Sequence, residues 1–235
     1  GNNVILSKEY YDQDFIIFNG CFDQVEVNST EIVAESGVTL FRLSQIAMEH
    51  SLTGLEIFYD IPGSVGGAVA MNAGTKDIEI KDVLRKVRYF DLADMKIKEI
   101  SCEDIHFEYR NSFFLRNPNK IVLRAWFQLK HGDEQTIINK MEENKKIRWA
   151  KQPREYPSCG SVFKRPEGRF VGPMIDELGM KGFTVGGAQI SEKHSGFIIN
   201  IGNATGNEIL VVISEVQKRV KDKYGIDLEL EQRII

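Results

Sequence analysis

Four short segments of this sequence hold residue types that can do chemistry. The first, Ile61-Pro-Gly-Ser-Val-Gly-Gly-Ala-Val-Ala-Met-Asn-Ala-Gly74, is rich in glycine. Gly63, Gly66, Gly67 and Gly74 let the backbone approach a ligand closely. Peptide N–H groups opened in that way form a nest for phosphate oxygens. Ser64 and Asn72 add side-chain donors. A tight turn with close packing accounts equally well for the same glycines. Neither a Walker loop nor GxGxxG is present, so P-loop and Rossmann chemistry are unsupported.

The second segment is Glu108-Tyr-Arg-Asn-Ser-Phe-Phe114. Arg110, set between aromatic residues, offers a fork of donors to a carboxylate or a developing oxyanion. A structural arginine paired with a nearby acid is the plainer alternative. The third is Tyr156-Pro-Ser-Cys-Gly-Ser-Val-Phe-Lys-Arg-Pro166. Ser161 follows a glycine and precedes apolar residues, as a serine poised on a turn to donate a proton or to attack. It is not a GxSxG elbow, so a hydrolase triad is unsupported. Cys159 reads equally as a small buried hydrophobe or a nucleophile. The fourth is the alternating end, Leu228-Glu-Leu-Glu-Gln-Arg-Ile-Ile235, with Glu229, Glu231 and Arg233 on one face and Leu228, Leu230 and Ile234 on the other. Such a pattern is either a solvated strand face or a carboxylate aimed into a site. His50, His106, His131 and His194 are scattered without ligand-like spacing, which predicts no metal site.

These segments need elements to hold them. Thr39 caps an expected helix with apolar positions Leu40, Leu43, Ile46 and Ala47. Asp14–Phe18 and Glu31–Glu35 read as short strands. Val83–Phe90 and Lys96–Ile100 read as a hairpin around Asp91–Asp94. Ile121, Leu123, Ala125, Phe127 and Leu129 alternate onto one face of a predicted strand. Asp133–Ala150 reads as an exposed helix joining two units, which sets the expected domains at 1–131 and 132–235. Pro173 and Gly179 bracket a short helix. Thr205 and Glu208 form a capping box ahead of Ile209, Val212, Ile213, Val216 and Val220, a helix with one buried face that stops at Gly225. Asp227–Ile235 reads as a strand. Strands and helices intersperse without a βαβ rhythm, so the fold class is α+β.

Composition narrows the rest. The 235 residues are 42% hydrophobic and 27% charged, and 34 acidic against 30 basic side chains leave a net charge of -4. That balance argues against charge-driven nucleic-acid binding. No apolar run approaches the roughly 20 residues of a membrane span. Cys21, Cys102 and Cys159 contain no CxxC pair, so neither a disulfide framework nor a zinc knuckle is expected, and a reducing cytoplasm fits. No signal peptide is visible. The opening Gly1-Asn2-Asn3 lacks an initiator Met and reads as a cut from something longer.

In this order the four segments resemble the MurB family, the UDP-N-acetylenolpyruvoylglucosamine reductases. Gly54-Leu-Glu56, then Ile61-Pro-Gly-x-Val-Gly-Gly-Ala and Met71-Asn-Ala-Gly74, resemble its flavin-binding signature. Tyr109-Arg-x-Ser112, Gly160-Ser-Val-Phe-Lys164, Gly186-Gly-Ala-x-x-Ser191, Lys193-His194 leading to Asn200, and Glu231-x-Arg-x-Ile235 follow in family order. The resemblance spans nearly the whole chain. It implies an FAD-binding domain of the PCMH/vanillyl-alcohol-oxidase type, short of its N-terminal segment, followed by a smaller α+β substrate domain, with flavin and substrate between them. It implies a cytoplasmic flavoprotein that uses FAD and NADPH to reduce UDP-GlcNAc-enolpyruvate to UDP-N-acetylmuramate in peptidoglycan synthesis. By position Ser161 is the implied proton donor to C2, and Arg110 and Glu231 stabilise the enol intermediate. Gly1, Asn2, Asn3, Gly63, Ser64, Val65, Gly66, Gly67, Asn72, Ala73 and Gly74 are the implied flavin contacts. The short connection between Arg110 and Ser161 resembles the type II class, which leaves Tyr109, Lys164 and Arg165 as expected substrate contacts. The expected partner is this small-molecule substrate, with no nucleic acid or membrane. Two alternatives stand beside this reading: another FAD-linked oxidoreductase of the same fold, and a non-catalytic remnant that no longer binds flavin.

Overall fold

The computed structural model describes residues 2–18, 20, 22–75 and 77–235, so Gly1 and Cys21 lie outside the described residues. The chain divides into two compact units, Ile16–Arg148 and Gly1–Phe15 with Trp149–Ile235. They are called here the inserted and the terminal unit. This division differs from the expected 1–131 and 132–235. Ile137 and Met141 of the helix Glu134–Lys151 are buried, and the space around Gly132 is closed by Thr53 and Ile137. At the other end, Val4–Ile5 pairs in parallel with Arg233–Ile234, which draws the first residues to the last ones.

The inserted unit is built on a five-stranded antiparallel sheet, in the order Val25–Asn28, Glu31–Glu35, Lys120–Gln128, Leu84–Asp91, Lys96–Ser101. Its core includes Ile32, Leu40, Leu43, Phe58, Val65, Ile80, Val87 and Phe127. Thr39 caps the helix Leu40–Glu49 as its sequence requires, accepting from the Arg42 N–H, and the helix buries Leu40, Leu43, Ser44 and Ala47. The predicted alternation along Ile121–Leu129 holds only in part. Ala125, Phe127 and Leu129 are buried, but Val122 takes the place expected of Leu123. The pairing shifts register between Arg88 and Tyr89, so one extra residue enters the strand there and flips the phase. Asp14–Phe18 is not a strand, because no neighbouring strand pairs with it among the described residues.

The terminal unit holds a four-stranded antiparallel sheet, in the order Thr184–Val185, Ala188–Ile190, Phe197–Asn200, Ser158–Ser161. The helix Gly206–Tyr224 carries the capping box in full: Thr205 accepts from the Glu208 N–H, and Glu208 reaches back to the Thr205 N–H. It buries Val212, Ile213, Val216 and Val220 and ends at Gly225 with φ 71°. The short helix is Val171–Glu177. The end of the chain is less regular than its alternation implies. Only Arg233–Ile234 is a strand, supplemented by a single bridge between Phe163 and Leu230. All the main sheet pairings are antiparallel, which agrees with the α+β reading. No helix is long and apolar enough to cross a membrane, among the described residues.

Candidate active site

The glycine-rich segment folds as a turn leading into the helix Val65–Met71, with Ser64 as its N-cap. Most of its N–H groups are already engaged. Val65 N–H donates to Val38 O, Gly66 N–H to Ser36 O, and Gly67 N–H to the Ser64 hydroxyl. Gly63 and Ser64 differ: among the described residues their N–H groups have no hydrogen-bond partner, though both residues are half-buried. Gly63 has φ 148° and a β-carbon there would meet open space. Gly67 is exposed, and a β-carbon there would touch only the Ser64 hydroxyl. Two adjacent open amides, a hydroxyl with its proton still to give, and a bare glycine surface suit an anionic group such as a diphosphate.

The rest of the segment turns inward. Val65 is fully buried, and Gly66 packs on Ser36, where a β-carbon would sit 3.0 Å from Cβ and Oγ. Asn72, expected to lend side-chain donors to a ligand, is fully buried and left-handed at φ 46°. Its Nδ2 donates to Glu79 Oε2 (2.9 Å) and Glu108 O (3.0 Å), and its Oδ1 accepts from Lys81 N–H. Both donors are therefore committed inside the chain. Ala73 N–H donates to Ala68 O. Gly74 is glycine because a β-carbon would lie 2.2 Å from Ile78 O.

Arg110 stands on the exit of this helix. Its backbone is left-handed, φ 53°. Nη2 donates to Gly74 O at 2.7 Å and Nη1 to Asn72 O at 3.1 Å. Glu79 Oε1 lies 3.4 Å from Nη1, and only 13% of the arginine side chain is exposed. Tyr109, nearly half exposed, lies beneath the guanidinium with its ring centre 5.0 Å away. A cation among carbonyls at a helix C-terminus is electrostatically favourable. The ion pair with a nearby acid is thus present, and the arginine is also fixed against the loop.

The terminal unit carries the other candidates. Ser161 closes the strand Ser158–Ser161, opposite Phe197. It is exposed and its hydroxyl has no partner among the described residues. The turn behind it is Gly160, φ 76°, where a β-carbon would have nothing within 4 Å. The end of the chain runs alongside: Glu231 N–H donates to Val162 O at 2.9 Å, and Lys164 N–H to Glu229 O at 2.8 Å. Glu231 is half-buried and Asn3 Nδ2 donates to its carbonyl at 3.0 Å. The fold therefore brings Ser161 and Glu231 onto adjoining backbone. Gln232, rather than the expected Ile234, turns inward; it is 5% exposed, and its Nε2 donates to Gly160 O at 3.2 Å. Sequence reading misses this support of the serine turn, because a glutamine in an alternating run carries no signal of where its amide goes.

Other expectations meet plainer surroundings. Lys164 pairs with Glu229 at 3.2 Å, and Arg165 stacks over Phe170 at 4.5 Å. Asn2 is exposed, Asn3 braces Glu231, and Gly1 lies outside the described residues. Burial pushes the Cys159 thiol up from its ordinary value and its sulfur contacts Val4 O, which keeps it protonated and poorly nucleophilic. No group of three His, Cys, Asp or Glu gathers as metal ligands among the described residues.

Comparison with known proteins bears on both units. The family model described as UDP-N-acetylenolpyruvoylglucosamine reductase, C-terminal domain, matches residues 152–235, and the FAD binding domain model matches residues 1–101. The UDP-N-acetylenolpyruvoylglucosamine reductase of Caldanaerobacter subterraneus subsp. tengcongensis is 43% identical over 235 residues, covering 100% of this chain and 77% of that protein. The enzyme of the same name from Pediococcus pentosaceus is 47% identical over 213 residues, covering 91% and 70%. The crystal structure of UDP-N-acetylenolpyruvylglucosamine reductase from Thermus caldophilus superposes with a TM-score of 0.85 at 35% identity, covering 100% of this chain and 82% of that one.

Proposed function

Because the chain belongs to the UDP-N-acetylenolpyruvoylglucosamine reductase family, we propose that it acts with FAD and NADPH to reduce UDP-GlcNAc-enolpyruvate to UDP-N-acetylmuramate, a cytoplasmic step of peptidoglycan synthesis. Its partner in this reading is that small nucleotide sugar. Gly63, Ser64 and Gly67 are the residues suited to hold the FAD diphosphate, since their backbone is open and two of their N–H groups lack partners among the described residues. When bound, the flavin supplies hydride chemistry between NADPH and C3 of the enolpyruvyl group.

The chain's own residues meet the charge and proton demands of that reaction. Addition of hydride at C3 leaves negative charge on C2 and the carboxylate. Arg110, its guanidinium anchored by Gly74 O and Asn72 O with Glu79 beside it, answers that charge at little cost of reorganisation. Glu231 is assigned the same task by its place in the family order. Ser161 gives its hydroxyl proton to C2. The observation that carries the assignment is the Ser161 hydroxyl itself, exposed at a strand end, uncommitted among the described residues, and beside the backbone of Glu231.

Ser161→Ala tests it. Flavin reduction by NADPH needs no proton at C2 and stays near the wild-type rate. Re-oxidation by the enolpyruvyl substrate slows by about 10²–10⁴-fold, the usual contribution of a general acid. Stopped-flow absorbance resolves the two half-reactions. Re-oxidation at the wild-type rate overturns the assignment.

A further inference from the structure

Beneath the flavin loop lies a polar cluster that the proposed reaction does not use directly. At its centre is Glu79, whose side chain is 14% exposed. One carboxylate oxygen faces Arg110 Nη1 at 3.4 Å. The other accepts from Asn72 Nδ2 at 2.9 Å and pairs with Lys81 Nζ at 2.9 Å. Asn72 is fully buried, and its second N–H donates to Glu108 O, two residues before Arg110. Ser112 Oγ donates to Ala70 O at 2.7 Å, fixing the far side of the same turn to the helix Val65–Met71. The contacts that hold Arg110 include two carbonyls and the carboxylate of Glu79.

We propose that Glu79 is a positioning residue for the reaction: pinned by Asn72 through one oxygen, its carboxylate fixes the orientation of the Arg110 guanidinium through the other. This inference rests on the reading that Arg110 answers the charge developing on the substrate. Carbonyls alone leave a guanidinium free to rock in its own plane, whereas an added carboxylate selects one setting of the fork. A glutamine at position 79 cannot replace it. Its amide presents either N–H to the Arg110 N–H or N–H to the Asn72 N–H, so one of the two contacts is lost in each flip.

The test is a double-mutant cycle in the flavin-loaded enzyme with Glu79→Gln, Arg110→Ala and the pair. Four quantities are read: FAD affinity by fluorescence, thermal midpoint, flavin reduction by NADPH, and re-oxidation by the enolpyruvyl substrate. Glu79→Gln is expected to leave FAD affinity and flavin reduction within about 3-fold, and to slow re-oxidation by about 10–100-fold, the scale of a small misplacement of a reacting group. Arg110→Ala slows re-oxidation further, and adding Glu79→Gln to it has no additional effect, because there is no guanidinium left to orient. Independent, multiplicative losses overturn the inference. So does a Glu79→Gln variant that loses FAD affinity, thermal stability and both half-reactions together, which marks a purely architectural residue. If Arg110→Ala re-oxidises at the wild-type rate, it is the role given to Arg110 that fails. Glu79→Asp, which keeps the charge one methylene short, runs through the same cycle alongside it with the same outcomes.

Discussion

A β-carbon added at Gly66 would lie 3.0 Å from Ser36 Cβ and Oγ, whereas one at Gly67 would meet only the Ser64 hydroxyl, at 3.5 Å. Adjacent glycines in one motif therefore answer to different constraints, Gly66 to packing and Gly67 to an open surface. Gly66→Val is expected to lower the stability of the folded chain by about 1–3 kcal/mol, the range of an overpacked site, with or without flavin. Gly67→Val leaves the apoprotein's thermal midpoint nearly unchanged and weakens FAD binding by covering exposed backbone. Thermal melts of the apoprotein paired with fluorescence titrations separate the two. A Gly67→Val variant that binds FAD with wild-type affinity removes this surface from the flavin site. The sequence marks both positions as glycine and says nothing of Ser36, thirty residues earlier, which distinguishes them. The same holds for Asn72. Its side chain reads as an available donor until Glu79 and Glu108 O are seen to take both N–H groups. Ser161 and Glu231 are legible as candidates from type and order. Their backbone adjacency follows from a pairing between residues far apart in the chain, which local pattern does not encode.

Elements whose signals are local are legible in the sequence, and those that depend on a distant neighbour are not. The helix Gly206–Tyr224 announces itself through Thr205, Glu208 and the spacing of its buried valines, all within one stretch. The phase flip near Leu123 depends on how the strand Lys120–Gln128 meets Leu84–Asp91, and no periodicity within either strand reveals it. At the turn of the hairpin, Asp91 shows how an element is tied electrostatically. Its side chain is only 5% exposed and is met by Lys98 at 2.8 Å and by Lys120. Hydrogen bonds from Lys120 and then Lys98 hold its carboxyl below the ordinary value of 3.8. A carboxyl depressed on folding contributes stability that is fully present above its unfolded value and is lost as pH falls towards its folded one. Wild-type stability should therefore decline as pH drops below about 4 partly through this group. Asp91→Asn is expected to melt lower than wild type near neutral pH and to show a shallower decline on acidification. Thermal midpoints by circular dichroism across this range check it; parallel acid limbs would mean that the pairing adds nothing to stability.

On the scale of the whole molecule, binding energy and chain topology are the quantities of interest. A ligand that binds only the folded form raises stability by mass action, by about 2.7 kcal/mol at 100 times its Kd. FAD at that excess is accordingly expected to raise the melting transition that includes Gly63–Gly74 by roughly 10 °C. Differential scanning calorimetry with and without FAD reads this directly, and an unmoved transition would mean that the chain as it stands does not bind the cofactor. The parallel pairing of Val4–Ile5 with Arg233–Ile234 has a further consequence, for biosynthesis. Asn3 and Glu231, which hydrogen-bond across this junction, are 228 positions apart. At about 5–20 residues per second, a ribosome takes roughly 10–50 s to travel between them. Throughout that interval the first strand has emerged without the strand it will pair with. Residues 16–148 have all left the tunnel well before its end, so the inserted unit can complete its sheet during translation. The terminal unit cannot close until Arg233 and Ile234 have been made and released, so its sheet pairing is sealed later than that of the inserted unit.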